Sequence, residues 1–153
     1  MAAEAAILLR DVQGKKGGRM AGLLKSSSKS VRHGELLLPP PRIIVIPRKD
    51  GKLAHNYQLA SDPSVTLYGS EDDVASLSED EFRLLVGIKS REARYEVFQN
   101  EMLDWGSKLK LETYVYVILP GLPHQRALSV IRYIGPLPNE CGVQFGVEIV
   151  VSN

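Results

Sequence analysis

Apolar and polar positions change period several times along the chain, and each change predicts an element. The clearest β signal is Thr113-Tyr-Val-Tyr-Val-Ile-Leu119, a run of aromatic and β-branched residues. Pro120-Gly-Leu-Pro123 predicts a turn, and Ala127–Tyr133 a second strand. That strand breaks at Gly135-Pro136, and β-type residues resume at Val143, Phe145, Val147 and Ile149. Together they predict a small antiparallel unit with strands at 114–119, 127–133 and 143–149. Upstream the period lengthens. Ser78-Glu-Asp-Glu81 has the form of a capping box, and Phe82, Leu85 and Val86 follow at helical spacing. Gly87 weakens or ends that helix. A second helix is predicted from Ser90, with Tyr95, Phe98 and Met102 as its apolar stripe. Glu92, Arg94, Glu96 and Glu101 would then face water, and Trp105-Gly106 would close the region.

Closer to the start, Arg42-Ile-Ile-Val-Ile46 ends at Pro47, Asp50-Gly51 forms a turn, and Leu53–Leu59 is a return strand, which makes a candidate hairpin. Val65–Tyr68 predicts a strand ending at Gly69. The acids Glu71, Asp72 and Asp73 lack a second carboxylate cluster, so they read as a solvated helix start at the positive end of the dipole, not as a cation site. Residues 1–40 keep no period. A brief helical run at Ala2–Leu9 gives way to Gly14-Lys-Lys-Gly-Gly18 and Lys25-Ser-Ser-Ser-Lys-Ser30. Few apolar side chains are available there to offset the entropy of ordering. The expectation is therefore a disordered basic tail at 1–41 ending in the stiff spacer Pro39-Pro-Pro41. A small α/β segment at 42–106 and the β unit at 107–153 would follow.

Composition adds limits more than chemistry. The 153 residues are 44% hydrophobic and 24% charged, ordinary for a globular chain. No apolar run approaches the ~20 residues that a helical membrane span requires. Met1–Arg10 carries Glu4 where a secretory leader would carry positive charge. The net charge of +1 hides an asymmetry: residues 1–52 hold eleven Lys/Arg against four Asp/Glu, and residues 53–153 hold eight against fourteen. His33, His55 and His124 are too scattered for metal-ligand spacing, and the single Cys141 has no neighbouring histidine or second cysteine to activate it. A lone cysteine fits a reducing compartment. There is no phosphate-binding glycine loop, nucleophile elbow or dinucleotide fingerprint. The residues thus point to no catalysis, no cofactor and no metal, and the basic tail reads as solvated, without nucleic acid as a dedicated partner.

Arg132-Tyr-Ile-Gly-Pro-Leu137, followed after a short loop by Phe145-Gly-Val-Glu-Ile149, resembles the CAP-Gly domain. That family reads approximately G-x-V-R-Y-I-G-P and then G-x-[WFY]-x-G-V-E-L. Upstream, Val74–Ile88, Glu92-Ala-Arg-Tyr-Glu-Val-Phe-Gln-Asn100 and Tyr114–Leu119 resemble the segment before the first CAP-Gly domain of the CYLD (cylindromatosis) deubiquitinase family. The resemblance covers roughly residues 60–150. It implies an α+β chain in which the tail and a short helical segment precede a partial SH3-like β-barrel. Arg132, Tyr133, Gly135, Pro136, Phe145, Gly146, Val147 and Glu148 would be its scaffold positions. It also implies a cytoplasmic, cytoskeleton-associated interaction module whose relatives bind tubulin or other acidic-aromatic tails and signalling-complex proteins. Those relatives regulate ubiquitin-dependent NF-κB signalling. The alternative is a piece of a cysteine deubiquitinase acting on linear and certain lysine-linked ubiquitin chains, with its catalytic domain beyond these residues. Two departures stand out. Ser129 replaces the usual glycine, and the G-K-N-D-G groove loop expected after the last strand does not occur before Asn153. The barrel should therefore be incomplete and tail binding weak.

Overall fold

A computed structural model describes the backbone of residues 4–20 and 23–151, and the side chains of these except residues 18–20 and 23–26. It is an α+β structure, mostly strand, with two antiparallel sheets and three short helices between them in sequence. The larger sheet contains β1 (Ala6–Leu8), β2 (Val12–Met20), β3 (Leu23–Val31), β4 (Leu36–Leu38), β5 (Val45–Pro47), β6 (Leu53–Leu59), β7 (Asp62–Ser70) and β8 (Val74–Ser76), in the order β3-β2-β7-β6-β4-β1-β8. β5 shares the edge of β6 with β4. The helices are α1 (Glu79–Val86), α2 (Arg91–Gln99) and α3 (Met102–Ser107). The smaller sheet is β9 (Tyr114–Leu119), β10 (Leu122–Gly135) and β11 (Gln144–Ile149), in the order β11-β10-β9.

The region expected as a disordered tail, 1–41, holds four strands within its described residues. Residues 1–3 and 21–22 lie outside the described residues. β2 and β3 pair along their full length, from Val12↔Val31 to Met20↔Leu23. Backbone hydrogen bonds need no apolar alternation, so Lys, Ser and Gly form a ribbon that carries no hydrophobic period. The apolar run at Ala2–Leu9, read as helical, is β1 over Ala6–Leu8. All three of its residues are fully buried, as in a strand covered on both faces. The proposed boundary at 41/42 also falls, because β4 pairs with β6 and β2 with β7 across it.

Two cores meet at β1. Ala6 and Leu8 join Val31, Leu37, Tyr57, Leu59, Val65, Leu67 and Val74 on one face of the sheet. Ile7 joins Leu36, Leu77, Leu85 and Leu103 on the other, where Phe82, Val97 and Phe98 of the helices pack. The capping box at α1 is formed: Ser78 Oγ accepts from Glu81 N at 3.2 Å, and Glu81 Oε1 accepts from Ser78 N at 2.9 Å. α2 is capped by Ser90 and tied to the sheet by Arg94 Nε donating to Gly34 O at 3.0 Å and Arg91 Nη1 to His33 O at 2.7 Å. Met102 departs from the expected stripe. It starts α3 and is 40% exposed, and Leu103 takes the buried position instead. The chain turns between α2 and α3, so no single helical face continues through it.

The acid trio also differs from expectation. Residues 71–73 form the turn between β7 and β8, and Asp73 is buried. Its carboxylate accepts from Ser70 N at 2.9 Å and faces Arg48 Nη1 at 2.7 Å and Arg10 Nε at 3.3 Å. A buried carboxylate needs this compensation, and two arginines distant in sequence supply it.

The two sheets are joined by a backbone contact at α1. Val143 N donates to Arg83 O at 3.0 Å, and Gln144 Nε2 donates to Gly87 O at 3.2 Å. Two glycines allow this approach. A Cβ on Gly87 would lie 2.4 Å from Val143 O, and one on Gly142 would lie 2.5 Å from Arg83 O and 2.6 Å from Gly87 N. Gly142 has φ +76° besides.

Gly142→Ala should therefore cost about 3 kcal/mol, from the positive φ and the clash together. Gly51→Ala, at φ +84° but with open space around it, should cost only about 1 kcal/mol. Urea unfolding of the two variants checks the difference. Acid sensitivity is a second expectation. The Asp11 carboxyl is held below its ordinary 3.8 by the His33 backbone N–H first and the His33 ring next. A depressed folded pKa gives stability that is present above the unfolded value and lost as pH falls through the folded one. Asp11→Asn should flatten the stability loss measured as pH falls through and below the ordinary 3.8.

Candidate functional site

The smaller sheet, with Pro136 just beyond β10, holds the motif positions of residues 132–148. β9 alternates Tyr114, Tyr116 and Ile118 with Val115, Val117 and Leu119, and the register fixes which neighbours share each face. Tyr114 lies opposite Val130, which lies opposite Glu148; Tyr116 lies opposite Leu128. Val115, Ser129 and Ile149 line the other face, and Ser129 is fully buried there. Its Oγ donates to Ala127 O at 3.2 Å, so the buried hydroxyl is paired.

Between Ile131↔Val147 and Tyr133↔Gly146 the register shifts, leaving Arg132 as the extra residue of a bulge. Its guanidinium reaches Glu112 at 2.6 Å and Glu148 at 2.9 Å. The Glu112 hydrogen bond first, and the Glu148 bond next, raise the guanidinium pKa above its ordinary value. Arg132 and Glu148, the charged members of the two motif halves, are thus direct partners. Gly146 sits against Tyr133: a Cβ there would lie 3.0 Å from Tyr133 Cβ. The Tyr133 hydroxyl donates to Pro136 O and closes the turn after Gly135. Gly135 pairs with Gln144 at the last rung of the ladder.

Phe145 and Val147 project from the opposite face to Glu148. Phe145 lines an apolar groove of about 360 Å³ between β11 and the helices, together with Leu84, Leu103, Trp105, Leu109 and Val143. The structure therefore brings Arg132, Tyr133, Pro136, Gly146 and Glu148 together and sets Phe145 and Val147 apart on the helix side. The expected barrel is not closed. β9 and β11 are the outer strands of an open sheet, and among the described residues neither outer edge has a strand partner.

Sequence reasoning missed several features. Glu112, at φ 69°, precedes the strand and lies 20 residues from the arginine it binds. Tyr114, Tyr116 and Ile118 are 65%, 70% and 62% exposed, an aromatic and aliphatic strip on one face. The alternation Tyr114-Val-Tyr-Val117 was its available signal. Trp105, at 54% exposure, borders the groove and does not seal it. Cys141 is exposed in the β10–β11 connection. Among the described residues no group of three His, Cys, Asp or Glu could hold a metal ion, and no helix is long and apolar enough to cross a membrane. No family model, curated protein or solved structure matches the chain.

Gly146→Val should force Tyr133 off its present position and cost about 1–3 kcal/mol as an overpacking change. Thermal unfolding checks the cost. Shifted backbone amide signals at Arg132–Pro136, with those of the larger sheet unmoved, check that the effect is local.

Proposed function

We propose that the chain is a non-catalytic interaction module of the CAP-Gly kind, resembling the amino-terminal region of the CYLD deubiquitinase family. The observation that carries this reading is the placement of the two motif halves. Arg132-Tyr-Ile-Gly-Pro136 and Phe145-Gly-Val-Glu148 lie on adjacent antiparallel strands, with Arg132 bound to Glu148 and Gly146 against Tyr133. Spaced motifs that meet as one cross-strand unit support a common origin more strongly than the two strings alone.

On this reading β9–β11 are the central strands of a partial SH3-like barrel, and the exposed Tyr114, Tyr116 and Ile118 on one face supply apolar surface for a partner. The partner class is a protein tail that is acidic and ends in an aromatic residue, as on tubulin. The setting is the cytoplasm, at the cytoskeleton and in signalling complexes that regulate ubiquitin-dependent NF-κB signalling. The G-K-N-D-G sequence that lines the groove in the family does not occur in these 153 residues. Isopeptidase chemistry belongs, on the same resemblance, to a catalytic domain outside this chain.

A titration with an acidic peptide ending in tyrosine tests the proposal. Weak, saturable shifts of the amide signals of β9 and β11 are expected, and they should persist when Lys15, Lys16 and Lys29 are changed to Gln. Shifts confined to the β2–β3 ribbon would overturn it. So would release of ubiquitin from a lysine-linked dimer by the purified chain, abolished by Cys141→Ser.

A further inference from the structure

We infer that two copies of this chain associate through unlike surfaces, with segment 42–49 of one copy seated in the helix-side groove of the other. The segment, Arg42-Ile-Ile-Val-Ile-Pro-Arg-Lys49, lies along β6 and is held there by backbone and by Asn56. Asn56 N donates to Ile44 O at 3.3 Å, and Asn56 Oδ1 accepts from Ile44 N at 2.8 Å. The aliphatic side chains stay outside. Ile43 and Ile44 are 46% exposed, Val45 is 55% exposed, and Leu53, opposite Pro47, is 64% exposed. Exposed aliphatic residues are ordinary singly, but a contiguous group marks an interaction surface. Residues 42–59 carry Arg42, Arg48, Lys49 and Lys52 against the one acid Asp50. Arg48 and Lys52 are spent on Asp73 and Asp72. Arg42 and Lys49 are exposed, bracket the aliphatic run, and have no ion-pair partner among the described residues.

The groove between β11 and the helices has the opposite character at its rim. Its 360 Å³ give room for more than one aliphatic side chain, and Met102, Trp105 and Phe145 at its border are partly exposed. Gln144 Nε2 already donates to Gly87 O at 3.2 Å and to Cys141 O at 3.1 Å. The floor therefore offers apolar contact and little hydrogen bonding, which suits aliphatic side chains better than a small polar ligand. In the hollows adjoining it the charged side chains are Asp80, Glu81, Glu101 and Asp104 against Arg83. Arg83 is bound to Glu79 at 2.6 Å and Lys108 to Asp104 at 2.9 Å. That leaves Asp80, Glu81 and Glu101 in excess over Lys110, and neither Asp80 nor Glu101 has an ion-pair partner among the described residues. A lipid phosphate would be repelled by these acids. An aliphatic run bracketed by cations and an apolar groove flanked by acids are complementary in shape of charge as well as in polarity, so the chain itself carries the occupant of its groove. Segment and groove are different surfaces, and the contact is heterologous. Each offers on the order of a few hundred Å² of apolar surface. Together they fall short of the about 1,200 Å² of a standard interface, so association is weak and depends on concentration.

Sedimentation equilibrium of the full chain at rising concentration tests this. A monomer is expected when dilute, with the mean mass rising above it as concentration increases. Trp105 is the one tryptophan of the chain, so its emission should move to shorter wavelength over the same range. Arg42→Glu with Lys49→Glu should weaken association at least about tenfold at low salt, and so should Asp80→Lys with Glu101→Lys. The four changes combined in one chain should restore it, a recovery that loss of fold could not produce. Ile43→Ser with Ile44→Ser, and separately Trp105→Ser, should each give monomers. An equimolar mixture of those two proteins should give complexes of two chains and none larger, since one retains the segment and the other the groove. A monomer at every concentration up to about 1 mM overturns the proposal. So does association that survives both charge reversals, or a mixture that stays monomeric. Association removed by Tyr116→Ser and untouched by Trp105→Ser belongs to the β9 strip and overturns it as well.

Discussion

The burial of β1 on both faces is the constraint on which the rest of this fold depends. Ala6 and Leu8 point into the core lined by Tyr57, Leu59, Val65 and Leu67, and Ile7 points into the core shared with the helices. A period of two, over only three residues, divides them between the cores. Each large aliphatic side chain so buried contributes about 2 kcal/mol. The location matters more than the sum, because β4 and β8 both pair with this strand. Leu36 and Leu37 of β4 repeat the division, one residue to each core. The helices therefore rest on the sheet through strands that are equally engaged on the opposite side.

Charge then works across the chain and does not divide it. The basic first third and the acidic remainder suggest two unlike regions in sequence, yet their excesses meet in space. Arg10 and Arg48 converge on Asp73, Lys52 on Asp72, and Lys16 on Asp62. In the reverse sense, Glu35 faces Arg94 of α2. Exposed pairs of this kind add little individually. Asp73 is different, since its buried carboxylate would be costly without the Ser70 N–H and the two guanidinium groups.

What the sequence revealed depended on whether the physical cause was local. The capping box at Ser78 and the β-branched runs of β9, β10 and β11 are local, and the corresponding elements are present. The hairpin of β5 and β6 around Gly51 is local too. β2 and β3 are held by backbone pairing between strands whose side chains have no apolar rhythm, so composition alone suggested disorder. β1 is too short for its period to be distinguished from a helical run. Asp73 read as part of a solvated helix start because the partners that bury it lie 63 and 25 residues away in the chain. At the candidate site, the motif residues were legible as a set, but not their partition. Glu112, the bulge at Arg132 and the placement of Phe145 on the helix side follow from register and tertiary contact.

The contact between Gly87 and the Gly142–Val143 backbone has a consequence for how the two sheets are held. It is made largely of main-chain atoms, at a separation that any Cβ would prevent. Two side chains flank it: Gln144 Nε2 donates to Gly87 O at 3.2 Å, and Val86 stands against Gly142. Any side chain added at Gly87 or Gly142 would have to push the β10–β11 connection away from α1. The joint behaves as a gauge block: its closest atoms are main chain, so it sets one distance between α1 and the β10–β11 connection.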